Sequence, residues 1–215
     1  MCGRMACNLC REDYQNACNY FDKQNNKYIR PQWIDLKNGG SSYRPSNNIC
    51  PSEITPVLVS GTNFSENSSE RCIAPMMWGL VPRWHKGEAK KHGLLTNNCR
   101  LEGIQNLSSK GGSKLYASPL KEGKRCVVLC EGYYEWQTKK DTKNKQPYYI
   151  YAVQKNNIKV EEPASWKNIS WNEQDGWCGP VLLKLAAVYD VWNANSVNIN
   201  FNSLILLLNL KYIWR

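Results

Sequence analysis

Residues 125–137 read RCVVLCEGYYEWQ, and the fold follows from how this stretch is taken. It is crowded with valines, aromatics and a leucine, the residues that fit a pleated and largely buried surface. QPYYIYAV at 146–153 has the same character, and the polar QTKKDTKNK at 137–145 links the two. That is the pattern of a β-hairpin whose loop is longer than the tight two-residue types. Working outward, ITPVLVS at 54–60, RCIAPMMWGL at 71–80 and PVLLKLAAVYDVW at 180–192 read as further strands.

Toward the N-terminus the period changes. Cys10, Tyr14, Ala17, Cys18 and Phe21 recur at helical spacing, which predicts one amphipathic helix over LCREDYQNACNYFD at 9–22. LKNGGSSYRPSNNICPS at 36–52 is turn chemistry, and SENSSE at 65–70 is a polar loop. A basic, irregular stretch runs from Arg83 through HKGEAKKHG, and NLSSKGGSKLYASPLKEGKR at 106–125 reads as a second, lysine-bearing loop. No internal repeat and no clean linker divides the chain. The expectation is an α+β protein with one strand-rich domain over 2–215, in which 193–215 forms a divergent tail.

Composition narrows the function. The 215 residues carry a net charge of +10, which points to a polyanion such as nucleic acid or to an acidic membrane surface, the alternative being charge that only aids solubility. Nine tryptophans and twelve tyrosines among these cations suit stacking on bases as well as core packing. Ten cysteines invite a disulfide framework, but the polar start MCGRMACNLCREDY is no secretory segment. Free thiols in a reducing intracellular compartment are expected, and the sequons at Asn63, Asn67, Asn106 and Asn168 are then chance matches. The run SLILLLNLKYIW at 203–214 is too short and too interrupted to cross a bilayer as a helix.

Three places could carry chemistry. If Met1 is removed, Cys2 presents its α-amine and thiol on adjacent carbons, a 1,2-aminothiol that only an N-terminal cysteine can offer. The alternative is an ordinary cysteine on a loose terminus. Glu135 sits among aromatics in GYYEW: either a buried carboxyl poised for proton transfer near neutral pH, or a side chain turned to water by strand alternation. Asn98 and Arg100 in TNNCRLE could orient a hydroxyl and grip a phosphate, or be plain loop residues. Cys7-x-x-Cys10 resembles half a zinc knuckle, but no second pair follows, and both thiols are expected in the core.

MCGR at 1–4, APMMWGLVPRW at 74–84, NNCRLE at 97–102 and RCVVLCEGYYEWQ occur together and in this order. With QPYYIY and LAAVYDVW they closely resemble the SRAP family, the SOS-response-associated peptidases. The resemblance runs from residue 2 to about residue 192. It implies a barrel-like twisted sheet with flanking helices. It also implies a DNA–protein crosslinking enzyme, lyase- or peptidase-like, that shields abasic sites in single-stranded DNA through an N-terminal thiazolidine. Cutting of its own Met1 or of another peptide belongs to the same implication.

Residue by residue, Cys2 matches the family's nucleophile. Asn98 matches the asparagine that holds the reacting terminus and sugar, and Glu135 the proton-transferring carboxylate. Arg4 and Arg100 match phosphate-gripping arginines, and Trp84 matches an aromatic that stacks where the strand bends. Asn48 and Pro51 lie in a segment resembling the family's YN-x-x-P loop, with Asn47 in place of the tyrosine. The implied partners are single-stranded DNA bearing abasic sites and replication-fork proteins. The implied protein is a nuclear monomer with no cofactor, no metal and no membrane contact.

The chain departs from the pattern in one respect. The family carries a further catalytic histidine on the C-terminal side, whereas His85 and His92 are the only two here and both precede Asn98. The expectation is therefore that the C-terminal part of the domain is missing and crosslinking is slow or lost. A non-covalent single-stranded DNA-binding remnant is the alternative. FNSLILLL at 201–208 is the strand on which completeness of the fold would depend, because an unpaired apolar edge invites aggregation.

Overall fold

In the computed structural model, described over residues 3–64, 70–100, 114–138, 145–155, 158–193 and 200–208, RCVVLCEGYYEWQ forms two strands that part company at Glu131. The chain opens with β1 (Arg4–Cys7), turns into the helix α1 (Arg11–Ala17) and continues as the hairpin β2 (Tyr20–Asp22) and β3 (Lys27–Ile29). Short strands follow: β4 (Gln32–Trp33), β5 (Ser46–Ile49), β6 (Ile54–Thr55), β7 (Val57–Ser60), β8 (Arg71–Ile73), β9 (Met76–Trp78) and β10 (Asn98–Arg100). After the helix α2 (Lys114–Lys121) come β11 (Arg125–Cys130), β12 (Gly132–Thr138) and β13 (Lys145–Tyr151). The small hairpin β14 (Ser170–Asn172) and β15 (Gly176–Cys178) precedes β16 (Leu183–Asn193) and β17 (Asn200–Leu208).

A nine-stranded sheet runs in the order β4-β8-β7-β11-β16-β17-β9-β6, with β10 also pairing β17, and a four-stranded sheet runs β13-β12-β1-β5. The fold class is α+β as expected. The larger sheet stays open, with β4 and β6 at its ends, so the expected barrel-like twist does not reach closure among the described residues. FNSLILLL does pair. β17 runs antiparallel to β16 on one side and parallel to β9 and β10 on the other, so its edges are taken. Met5, Cys7 and Tyr133 from the smaller sheet join Val57, Ile73, Met76, Trp78, Val128 and Leu129 from the larger in one buried cluster. The core is therefore the contact between the two sheets.

Glu131 is the corner between them. β11 belongs to the larger sheet and β12 to the smaller, and this single residue separates them. Its side chain is 0 % exposed. Its amide donates to the Ala6 carbonyl at 3.0 Å. Its carboxylate accepts the Asn8 backbone amide, the Asn8 side-chain amide at 3.2 Å and the Tyr14 hydroxyl at 2.7 Å. The Tyr43 hydroxyl closes the same turn, donating to the carbonyls of Cys7 and Leu9 at 2.8 and 2.9 Å. Beside it, Gly132 is required by space: a Cβ there would stand 2.6 Å from the Tyr149 ring and 2.7 Å from the Ile150 carbonyl.

Three expectations are corrected. The first helix stops at Ala17, because from Cys18 onward burial follows a period of two: Cys18 and Tyr20 are buried, while Phe21 is 46 % exposed against Tyr28. Cys10 is not a core residue. It lies at the helix start, exposed, its thiol donating to Glu12 and Asp13. Partial burial and those carboxylates push it up to about 11, so it stays a protonated donor. Cys7 is buried as expected, and no cluster of three or more metal-ligating side chains occurs among the described residues. Finally, part of the second loop is the helix α2, whose Leu115, Tyr116 and Leu120 pack on Leu80, Cys99 and Val188 despite an internal Pro119.

The Glu131 corner responds to pH. Burial pushes the carboxyl from 4.5 up to about 7, against the Asn8 and Tyr14 hydrogen bonds that pull it down. Folding therefore favours the neutral form. The stability this contributes is complete below 4.5 and is lost as pH rises through about 7. Urea unfolding should show wild-type stability falling by about 1.4 kcal/mol per pH unit across that window, relative to a Glu131→Gln variant in which this dependence is gone. Parallel curves for the two proteins would refute the assignment.

Candidate functional site

The smaller sheet brings the chain's N-terminal end beside Glu135. β1 starts with Arg4 opposite Tyr134, the residue before Glu135, and Met5 opposite Ile49 of β5. Glu135 faces inward from β12, only 6 % exposed, while its neighbour Trp136 is 38 % exposed. The Glu135 side chain is therefore buried rather than turned to water by strand alternation. On the opposite face of β12 and β13 the Tyr134 and Tyr149 rings stand 4.8 Å apart and the Tyr149 and Tyr151 rings 5.5 Å apart. The Arg4 guanidinium turns back to donate to the Gly3 carbonyl at 3.2 Å. Arg4 also lies near Cys50, where its charge opposes the upward push that burial gives that thiol.

Asn98 and Arg100 stand at the two ends of β10, opposite Leu206 and Leu208 of β17. Their segment is clamped onto the WGL turn. The Trp78 indole donates to the Asn97 carbonyl at 2.9 Å, and the Leu80 amide donates to the Thr96 carbonyl at 3.3 Å. Between them Gly79 holds a φ of +123°, a conformation that disfavours any side chain. The Asn98 side-chain oxygen and one Glu135 carboxylate oxygen are both fully out of water. Burying polar oxygens costs free energy unless hydrogen bonds compensate it.

Trp84 is 68 % exposed, on the loop that follows β9. Two contacts hold that loop. The His85 ring packs between Trp84, His92 and Trp192, and the Trp192 indole donates to the His85 carbonyl at 3.0 Å. Next to Trp84, Arg83 grips Asp190 of β16 with two hydrogen bonds, at 2.6 and 2.9 Å, and reaches Glu122 at 2.7 Å. Lys124 completes the network on Asp190 and Glu122. Burial pushes Asp190 up, but the hydrogen bonds from Arg83 and Lys124 prevail and hold it below its ordinary value. Arg83, which opens the basic stretch in sequence, is thus committed to a structural anion.

The site residues expected from sequence divide between the two sheets. Arg4, Asn48 and Glu135 sit on the smaller one, with Pro51 in the turn after β5; Asn98 and Arg100 sit on the larger one. Cys2 lies outside the described residues. Glu131 and Asp190 are not among the residues singled out by the motifs, yet each carries the signal that marks Glu135: an acid interrupting an apolar strand.

A family model described as SOS response associated peptidase (SRAP) matches residues 1–206. The chain is 38 % identical over 195 residues to the abasic site processing protein HMCES of Rattus norvegicus, covering 89 % of this chain and 52 % of that protein. The Xenopus tropicalis protein of the same name is 40 % identical over 196 residues, with the same shares covered. The chain thus spans about half the length of these relatives. Among solved structures, a Bordetella bronchiseptica protein superposes with a TM-score of 0.56 at 13 % identity, over 96 % of this chain and 71 % of that one, which supports the fold alone.

The Asp190 network ties the Trp84 loop to the sheet. Asp190→Ala leaves two cations without their buried partner and should lower stability by about 2 kcal/mol, at the modest end for a buried pair because Arg83 is half exposed. Limited proteolysis should then cut first between residues 83 and 93. A variant as stable and as resistant as wild type would show that the network does not hold the loop.

Proposed function

The chain belongs to the SOS response associated peptidase (SRAP) family, and from that premise we propose that it captures abasic sites in single-stranded DNA through a covalent bond to Cys2. The observation that carries this reading is the register of β1 on β12, which delivers the N-terminal end of the chain next to a buried carboxylate, Glu135. Relatives over most of this chain bear the name abasic site processing protein.

Removal of Met1 exposes the Cys2 α-amine, which attacks in its neutral form and so works best near or above its ordinary pKa of about 7.7–8.0. The ring-opened abasic sugar offers an aldehyde. Amine addition gives a carbinolamine, loss of one water gives a Schiff base, and the thiol then adds to the same carbon to close a thiazolidine. One C–N and one C–S bond form, and the aldehyde oxygen leaves as water. Glu135 carries the protons: one to the departing hydroxyl, one away from the thiol. Asn98 orients the sugar with its amide, Arg4 and Arg100 hold flanking phosphates, Trp84 stacks on a base, and Asn48 and Pro51 line the approach. None of these contacts reads a base edge, which suits damage arising in any sequence.

The family description also names a peptidase, and a Cys2 thiol with Glu135 as its general base would suit cleavage of the Met1 peptide bond. In that case Glu135→Gln protein would retain Met1, which mass spectrometry of the purified chain decides.

Incubation with an oligonucleotide carrying one abasic site, followed by a denaturing gel, tests the main reading. A heat-stable adduct should form with wild type and be absent with Cys2→Ala. Glu135→Gln should slow it by about 10²–10⁴-fold, the usual contribution of a positioned proton-transfer group. An adduct that survives Cys2→Ala, or wild-type protein that binds the strand without forming one, would overturn the covalent reading.

A further inference from the structure

Alongside β5 lies a groove of about 360 Å³ that none of the residues assigned above fills. Among the described residues β5 is an edge of the four-stranded sheet, and Ser46 and Ile49 at its two ends line the groove. Two cations converge on it from separate parts of the chain: Arg44, from the turn before β5, and Lys90, from the basic loop that carries Trp84. Both are exposed, and neither makes an ion pair with an acid among the described residues. Between them the wall carries the hydroxyl-bearing Ser41, Ser46 and Ser52. The one acid present, Glu53, accepts the Cys50 backbone amide and so closes the turn that bears Pro51.

This is the chemistry of a phosphodiester site. Unpaired cations facing each other across an open, hydroxyl-lined channel suit an anion that is extended and fully ionised, and Arg offers the bidentate geometry that phosphate prefers. A small dianion would be held more tightly by an enclosed nest of amides, which this open groove does not provide. Ser46 and Ser52 bracket Asn48 and Pro51 in sequence, so the groove adjoins the segment that bears them.

We propose that the groove between Arg44 and Lys90 holds the sugar–phosphate backbone of the strand leading away from the reacting nucleotide, as a second contact zone beyond the crosslinking centre. The proposal rests on the reading of the chain as a single-stranded DNA protein. It commits the groove to phosphates rather than bases: its walls offer charge and hydroxyls, and the exposed aromatics Trp84 and Trp136 stand outside its lining.

The test is salt-dependent binding to undamaged single strands, which needs no adduct and so is independent of the Cys2 chemistry. Fluorescence anisotropy would compare a strand of roughly 4 nucleotides with one of roughly 16, the span of single-strand site sizes. For the longer strand, Arg44→Ala with Lys90→Ala should reduce the slope of log affinity against log salt by about 1.4, two phosphate contacts at about 0.7 each. For the shorter strand the change should be much smaller. Arg44→Lys should recover part of the slope, and Lys23→Ala with Lys27→Ala on the separate β2–β3 hairpin serves as the charge-matched control. Thermal melts of each variant check the fold. A slope unchanged for the long strand, an equal loss for both lengths, or an equal loss from the hairpin control overturns the groove while leaving the covalent reading standing. Wild-type protein that binds neither strand overturns the groove as well, and the denaturing gel with the abasic oligonucleotide decides the covalent reading separately.

Discussion

A single buried carboxyl organises this molecule. Glu131 lies where the chain leaves the nine-stranded sheet for the four-stranded one, and its hydrogen bonds to Ala6, Asn8 and Tyr14 lock the β1-to-α1 turn onto that corner. Placing a glutamate there is expensive, as its upward-shifted pKa records. The expense is offset by satisfying the amides of an otherwise solvent-starved turn and by fixing the position of β1. Breaking that corner would free the very strand that carries the N-terminus.

The candidate chemistry depends on this placement. A nucleophile at the end of a chain is intrinsically loose, since no covalent link tethers it from the other side. β1, the strand from Arg4 to Cys7, is the interior strand of its sheet, paired with β12 and β5 at once. The larger sheet answers with a second rigid support. The WGL turn and the TNNC segment bind each other through Trp78 and Thr96, and Arg83 ties the Trp84 loop to Asp190. Asn98 and Glu135 stand on the two sheets whose contact is the core, and strands of a packed sheet hold side chains more accurately than loops alone allow.

Much of this was legible in sequence, and the failures have physical causes. The strands of 125–137, 146–153 and 180–192 were visible because β-branched and aromatic residues cluster there. Their breaks were not. ITPVLVS divides at Pro56 and RCIAPMMWGL at Pro75, where no amide can join the ladder, and RCVVLCEGYYEWQ divides at a residue that changes sheets. The helix expected over 9–22 is half that length because Cys10, Tyr14, Ala17, Cys18 and Phe21 mix two periods. Tyr20 obeys the pairing with β3 instead. Helix α2 was hidden by a proline and by the glycines before it, and only its packing on Leu80 and Val188 makes it a helix.

The sequence by itself determined which residue types could do chemistry and in what order they occur: a cysteine at position 2, an acid among aromatics, an amide and an arginine in TNNCR. These follow from covalent structure and from motifs, which need no neighbours. The tertiary structure alone decided which acid is a corner and which faces the N-terminal strand, and which arginine is committed to an ion pair. It also decided which cations are left facing a groove. Those outcomes depend on burial and on partners more than 100 residues away, as between Arg83 and Asp190 or Tyr14 and Glu131. No local pattern records a contact of that range, because the desolvation that sets each group's role exists only once the sheets have closed on each other.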